Sequence, residues 1–359
     1  MTYGGSGLWE RLTVEWNRRR VEHKARQEVG AACRVRVVIR RDGSDAHHLG
    51  FARDRSTLTL SLHASKLVGE VWPTMCRVSG LAVILSRCKP GARGVADFSD
   101  GESAGPGLVS LCSNFADCVL VPDVDFVLSR GYAAERAVGA QARPFAERRD
   151  LVLWRGSTTG PGRISADDMT PDAPGLSLRA RMCLLLRDVP GCDAGFATVL
   201  PWTEGDLGKA REAGILGEHI ANAAWADIRY HVAVDGNTLA WSSTFTRLLM
   251  GCCILKPDSS GGFRQWYSDR FLPWQHYVPV AADLSDLRDR IAWCRSHEAA
   301  AATIAARGQQ LAMSMSFAGE VAAAARRIDE TFDARRSVMA ADLAAIIPVR
   351  RRLFPGARR

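Results

Sequence analysis

No two cysteines in this chain form a CxxC pair. The 10 cysteines are scattered, with only Cys252 and Cys253 adjacent, so the ligand spacing of a zinc site is absent. A chain of 359 residues buries a core without covalent staples, and the cysteines read as reduced, mostly buried thiols rather than a disulfide framework. The histidines, His47-His48 included, have no metal-ligand spacing, and no metal site is expected. No run approaches the roughly 18 apolar residues that a bilayer span needs. Met1–Arg20 is polar and closes on Arg18-Arg19-Arg20, unlike a signal peptide, and a cytoplasmic location is expected. Neither GxxxxGK[ST] nor GxSxG occurs, which removes the P-loop and the hydrolase elbow. No zinc finger or RNP-like motif is present, so nucleic acid is not an expected partner.

What the chain does have is an ordinary globular composition, 47% hydrophobic and 24% charged, with a net charge of +8 and a pI near 9.1. A basic balance favours anionic partners without choosing among them. Much of the excess lies in Arg18–Arg20 and in Arg350, Arg351, Arg352, Arg358 and Arg359. Such tails are solvated, and weak peripheral contact with an anionic membrane surface is their second reading.

Gly7–Val29 has the pattern of an amphipathic helix. Arg34–Ile39 and Thr57–Leu62 alternate as strands do. Ser79–Ser86 is nearly all apolar and reads as a strand covered on both faces; Val95–Phe98 and Cys118–Val121 are further short strands. From Leu151 the order is strand, turn, helix, strand, as in a parallel α/β sheet: strands at Leu151–Trp154, Tyr230–Val234 and Cys252–Lys256, helices at Ser177–Leu186 and Ser242–Leu249. Asp283 or Ser285 is expected to cap a helix holding Leu287, Ile291 and Trp293. Ala299–Ala325 reads as one Ala-rich helix, and Asp329–Ile347 as another.

Four segments carry groups suited to chemistry. Trp154–Arg163 (WRGSTTGPGR) joins glycines, three hydroxyls and two arginines, a composition suited to a diphosphate. Val234–Asn237 followed by Trp241–Arg247 sets a strand end and tight turn before a hydroxyl-rich helix start, where free N–H groups attract anions. Gln265–Val280 is dense in aromatics, which suits a core as well as a sugar or base. Asp97–Glu102 (DFSDGE) puts three carboxylates at a strand end, within the repertoire of a general base.

Taken in order, WRGSTTG with Arg163, YHVAVDGNTLAWSSTFTRLL, CCILKPDS, QWYSDRFLPWQHYVPV and DLSDLRDRIAWCRSHEAAAATIAARGQQLA resemble glycosyltransferase family 90. The resemblance is densest over Leu151–Phe317 and thin before it. It implies a GT-B plan: two Rossmann-like α/β domains facing across a cleft, residues 1–150 for the acceptor and 151–314 for the nucleotide-sugar, with 315–359 packing back on the first domain. It also implies a UDP-sugar donor, inversion at the anomeric carbon and no cofactor or metal. The donor residues carried over are Arg155, Gly156, Ser157, Thr158, Arg163, Asp235, Gly236, Ser242 and Ser243, with Arg247, Lys256, His276 and Tyr277 added. The family's base is an aspartate where this chain has Gly131, and Thr244 stands where many members have arginine. Asp100 is the carboxylate offered instead. The expected reaction is transfer of glucose or xylose to a glycan hydroxyl, in a lipopolysaccharide or capsule precursor; the alternatives are nucleotide-sugar binding without turnover and transfer to a protein.

Overall fold

A computed structural model describes residues 6–69 and 71–346, the side chains of Ser6, Leu8, Pro201, Trp202 and 334–346 apart. The basic cluster at residues 350–359 lies outside the described residues. Helix α1 (Ser6–Val29) leads into β1 (Arg34–Arg40), β2 (His48–Arg53) and β3 (Thr57–His63), then α2 (Trp72–Leu85), β4 (Arg93–Asp97), β5 (Val109–Ser110), β6 (Val119–Leu120), α3 (Val124–Leu128) and α4 (Ala133–Ala140). The second series is β7 (Arg149–Ser157), α5 (Leu178–Leu186), β8 (Cys192–Thr198), α6 (Leu207–Glu212), β9 (Ile228–Val232), α7 (Ser242–Leu249), β10 (Cys253–Pro257), β11 (Val278–Val280), α8 (Leu287–Ser296), α9 (Glu298–Ser314) and α10 (Phe317–Ile346).

Two sheets result. The first runs β1-β3-β2-β4-β5-β6, with β2 antiparallel to both neighbours and the other pairs parallel. The second runs β8-β7-β9-β10-β11 and is parallel throughout. Numbered within itself, that order is 2-1-3-4-5, a doubly wound sheet whose direction reverses between β7 and β9. The protein is therefore α/β with two Rossmann-like halves, as the sequence predicted, although β2 breaks the parallel run of the first. Helix α10 lies against first-sheet elements: Arg327 donates to the Leu120 carbonyl at 3.1 Å, and Asp329 accepts from the Lys89 N–H at 3.0 Å.

Ser79–Ser86 is not a strand. It is the second half of α2, which begins at Trp72-Pro73 and is buried on nearly every side. A short apolar run in a crowded layer fits either element, and here the turn-favouring Pro73 at the first helical positions decides it. Gly80 is needed at the crossing, since a Cβ there would lie 2.9 Å from Val124. The Ala-rich stretch is two helices, because the chain breaks at Met315 (ψ 79°) and Ser316 accepts from the Gly319 N–H at 3.2 Å to restart it. Neither Asp283 nor Ser285 caps α8; the cap position is Asp286.

His231, on β9, is 1% exposed. Its Nδ1 faces the Leu153 carbonyl at 3.2 Å and so carries the proton, while Nε2 has no partner. Burial, with Arg247 nearby, pushes its pKa down to about 3. The folded value lies below the unfolded one, so the neutral ring stabilises the fold above pH ~6.5, and that stabilisation drains as pH falls toward 3. The loss expected is of order 4 kcal/mol. Thermal melts from pH 7 to pH 4 should fall steeply for the wild type and less steeply for His231→Asn. Parallel curves would assign the acid sensitivity to another group.

Candidate active site

The reversal between β7 and β9 is where an open α/β sheet leaves a crevice at its carboxyl ends. Here β7 runs out into Thr158-Thr159-Gly160 and β9 into Val234-Asp235-Gly236. The two loops touch. A Cβ on Gly160, whose φ is +120°, would sit 3.3 Å from the Gly236 carbonyl, and one on Gly236 would sit 2.9 Å from Thr159 Oγ1. The Gly160 N–H donates to Asn237 Oδ1 at 3.0 Å. A cavity of about 440 Å³ opens beside them, walled by Thr159, Gly160, Asp235, Gly236 and Asn237, and on the far side by Ser260, Phe263 and Ala282.

Arg179, on α5, organises this crevice, and sequence reading missed it. It is 8% exposed and lines the cavity. Its Nη1 donates to the Ser157 carbonyl at 3.0 Å and to Thr159 Oγ1 at 2.6 Å, and its Nε donates to the Asp235 carbonyl at 3.0 Å. The guanidinium thus ties both loops together, and it lies 5.7 Å over the Trp154 ring. Burial lowers its pKa to about 10, so it stays charged at neutral pH. Among the described residues no carboxylate forms an ion pair with it. Burial raises the pKa of the nearby Asp235, against the pull of Lys256 and Arg179.

Asp100 does not line the cavity, but comes from the first half to touch two of its wall residues, Asn237 and Thr238. Asp97 accepts from the Ser99 N–H (2.9 Å) and from the Ser99 and Ser110 hydroxyls (3.0 and 3.1 Å), which fixes the turn. Gly101 (φ +110°) completes it. The turn carries Asp100 to the second half: Asn237 Nδ2 lies 3.4 Å from Asp100 Oδ2, and the Thr238 hydroxyl donates to the Asp100 carbonyl at 2.6 Å. Arg77 pairs with the carboxylate, whose side chain is 26% exposed.

The remaining predicted residues scatter. Arg155 does not line the cavity. It is paired with Asp193 at 2.7 Å and donates to the Glu218 carbonyl at 3.0 Å. Thr158 is buried against Thr203 at 2.9 Å. Gly156 is a packing position, because a Cβ would meet the Trp154 ring at 2.4 Å. Ser157 contributes its carbonyl to Arg179, and its hydroxyl lies 3.0 Å from that of Thr159. Arg163 is exposed and paired with Asp206 at 2.8 Å. Lys256 donates to the Pro257 carbonyl. His276 accepts from the Leu272 N–H at 3.0 Å, and Tyr277 packs 4.4 Å from Phe271; neither lines the cavity. Ser242, Ser243 and Arg247 line a different cavity of about 460 Å³, with Tyr132 and Asn222. Ser242 is the first residue of α7 rather than its cap, which is Trp241. Arg247 sits 3.9 Å over the Trp225 ring and donates to Asn222 at 3.1 Å.

Gly131 lies between Arg130 and Tyr132 in a run of three residues with φ of +56°, +82° and +58°. A Cβ at 131 would stand 3.2 Å from Phe317 Cβ. Gly131 itself offers no carboxylate, while Asp125 and Glu135 line the cavity shared by Tyr132, Ser242, Ser243 and Arg247. Asp123 is near in sequence but is buried, accepting from the Phe126 N–H at 2.9 Å and the Tyr132 hydroxyl at 2.9 Å. Among the described residues no three His, Cys, Asp or Glu side chains are grouped as metal ligands.

The crevice and its cation lie within residues 135–320, the stretch matched by the model of glycosyl transferase family 90, just over half of the 359 residues. The chain belongs to this family. The chain is similar to the "Uncharacterized protein 027R" of frog virus 3 (isolate Goorha), 26% identical over 233 residues, which are 58% of this chain and 23% of that protein. Protein O-glucosyltransferase 2 of Danio rerio is 33% identical over 99 residues, 28% of this chain and 19% of that one. Protein O-glucosyltransferase 3 of Rattus norvegicus is 29% identical over 165 residues, 45% and 30%. The chain spans less than a third of the length of these curated relatives. A solved structure, Anabaena Alr3699/HepE in complex with UDP-glucose, aligns at 16% identity with a TM-score of 0.30 over 42% of this chain and 43% of that one. Asp100 stands outside the matched stretch, whereas Arg179, Asp235 and Arg247 stand inside it.

Proposed function

We propose that this glycosyltransferase moves glucose or xylose from a UDP-sugar to a hydroxyl of a glycan acceptor, such as a lipopolysaccharide or capsule precursor, with inversion and without a metal. The observation that supports this most is Arg179: a buried guanidinium without a carboxylate partner, held at the crevice where the β7 and β9 loops meet. A departing diphosphate develops charge, and a preoriented cation there stabilises that charge without having to reorganise. Asp100, on the opposite loop, takes the proton from the acceptor hydroxyl. The acceptor oxygen bonds to the anomeric carbon, the bond from that carbon to the UDP oxygen breaks, and the proton ends on the Asp100 carboxylate. A single displacement of this kind inverts the centre.

Calorimetric titration of UDP should give micromolar affinity, the same with and without magnesium, and the more tightly bound of UDP-glucose and UDP-xylose should be the donor. No binding of any uridine nucleotide to folded protein would remove the donor assignment and leave family membership alone. One observation favours a second reading, binding without turnover: Gly131 provides no acid where the family resemblance places one. UDP-sugar binding with neither transfer nor slow donor hydrolysis would support it.

A further inference from the structure

Helix α1 has two apolar faces. One, with Val14, Val21 and Ala25, is buried against the fold. The other carries Trp9, Leu12 and Trp16, spaced three and four apart so that they line one side of the helix. These are 73%, 53% and 60% exposed. Trp72, at the start of α2, extends the strip and is 57% exposed. A soluble surface seldom leaves three indoles and a leucine in water along one line, and such strips mark interaction sites.

The cations beside them indicate the partner. Arg20 lies 4.5 Å over the Trp16 ring, and Lys24 lies 5.4 Å over Trp72. Along α1 six basic side chains outnumber four carboxylates; Glu15, Glu22 and Glu28 pair with Arg18, Arg19, Arg26 and Lys24, which leaves Arg20, beside Trp16, outside these ion pairs. Indole rings favour the headgroup layer of a bilayer, where the ring meets apolar chains and the N–H meets water. Cations flanking them attract the phosphates of anionic lipids. A helix that lies in the interface combines these two features. We infer that the outer face of α1, with Trp72, seats the protein on the surface of an anionic phospholipid bilayer. This inference does not depend on the reading of the donor crevice.

The test is co-sedimentation of the full chain with vesicles of phosphatidylcholine alone and of phosphatidylcholine mixed with phosphatidylglycerol. The wild type should bind the mixed vesicles, and bind them more weakly at high salt. Trp9→Ser with Trp16→Ser should weaken binding at least tenfold, because both anchors are lost. Arg20→Glu should weaken it more than fivefold, since a basic side chain near the surface contributes about that factor and an acid opposes it. These side chains are exposed, so melting temperatures should hold; should the double variant melt early, Trp72→Ser on the neighbouring helix makes the same test. Absence of binding to anionic vesicles, or binding that the tryptophan variants leave unchanged, overturns the inference. So does light scattering that shows a wild-type dimer turned monomeric by Trp9→Ser with Trp16→Ser, which would make the strip an interface between two copies.

Discussion

Asp100→Asn should lower kcat for sugar transfer by roughly a thousandfold while UDP affinity stays within about twofold, the signature of a lost general base. The substitution keeps the size and much of the hydrogen bonding of the side chain. The turn does not depend on it, because Asp97 and Ser99 hold the loop and the Thr238 hydroxyl bonds to the Asp100 backbone carbonyl rather than to its carboxylate. Steady-state kinetics beside calorimetry separates the outcomes. Transfer at the wild-type rate would remove Asp100 from the role of base. Lost UDP binding would show instead that the contact with Asn237 holds the nucleotide crevice in shape.

Arg179→Met should weaken UDP about a hundredfold. A hydrogen bond to a charged group contributes about 1.5–3 kcal/mol, and each 1.4 kcal/mol is a factor of ten. It should also lower the melting temperature, because the carbonyls of Ser157 and Asp235 lose their donor. Binding is therefore measured well below the melt. Arg179→Lys, which keeps the charge but loses the fork, should fall between the two. Arg155→Ala is the contrast: its guanidinium is spent on Asp193 and Glu218, so UDP affinity should stay within about twofold. A large loss with Arg155 and none with Arg179 would place the diphosphate on the other side of β7.

The sequence made much of this fold legible, and where it did not, the reasons are local. The second sheet was readable because strand, glycine turn and helix follow one another with the right lengths, and α7 was placed to the residue. Strands β2, β5, β8 and β11 were missed: each is short or broken by glycine or proline, and their pairing depends on partners far along the chain. Helix α2 was mistaken for a strand because burial on all sides removes the polar stripe that reveals a helix. In the site, the loops Thr158–Gly160 and Asp235–Gly236 stood out through their glycines and hydroxyls. Arg179 did not, since it sits in the middle of SLRARMCLLL and only the fold turns it toward the crevice. Arg155 drew attention through its neighbours in WRGSTTG, but alternation along β7 carries its side chain to Asp193. Ser242, Ser243 and Arg247 lie on α7 and open onto a second cavity.

The crevice proposed for the nucleotide is walled by the second half alone, while the carboxylate proposed as base is brought by the first through Asp100's contacts with Asn237 and Thr238. Recognition and reactivity therefore have separate owners. If the contacts of Asp100 with Asn237 and Thr238 were lost, the second half would still offer the loops and the cation proposed to hold a donor, and the proposed base would no longer face them. A loaded but parted molecule would be inert toward stray water, and it would become reactive only when the two loops are brought together again.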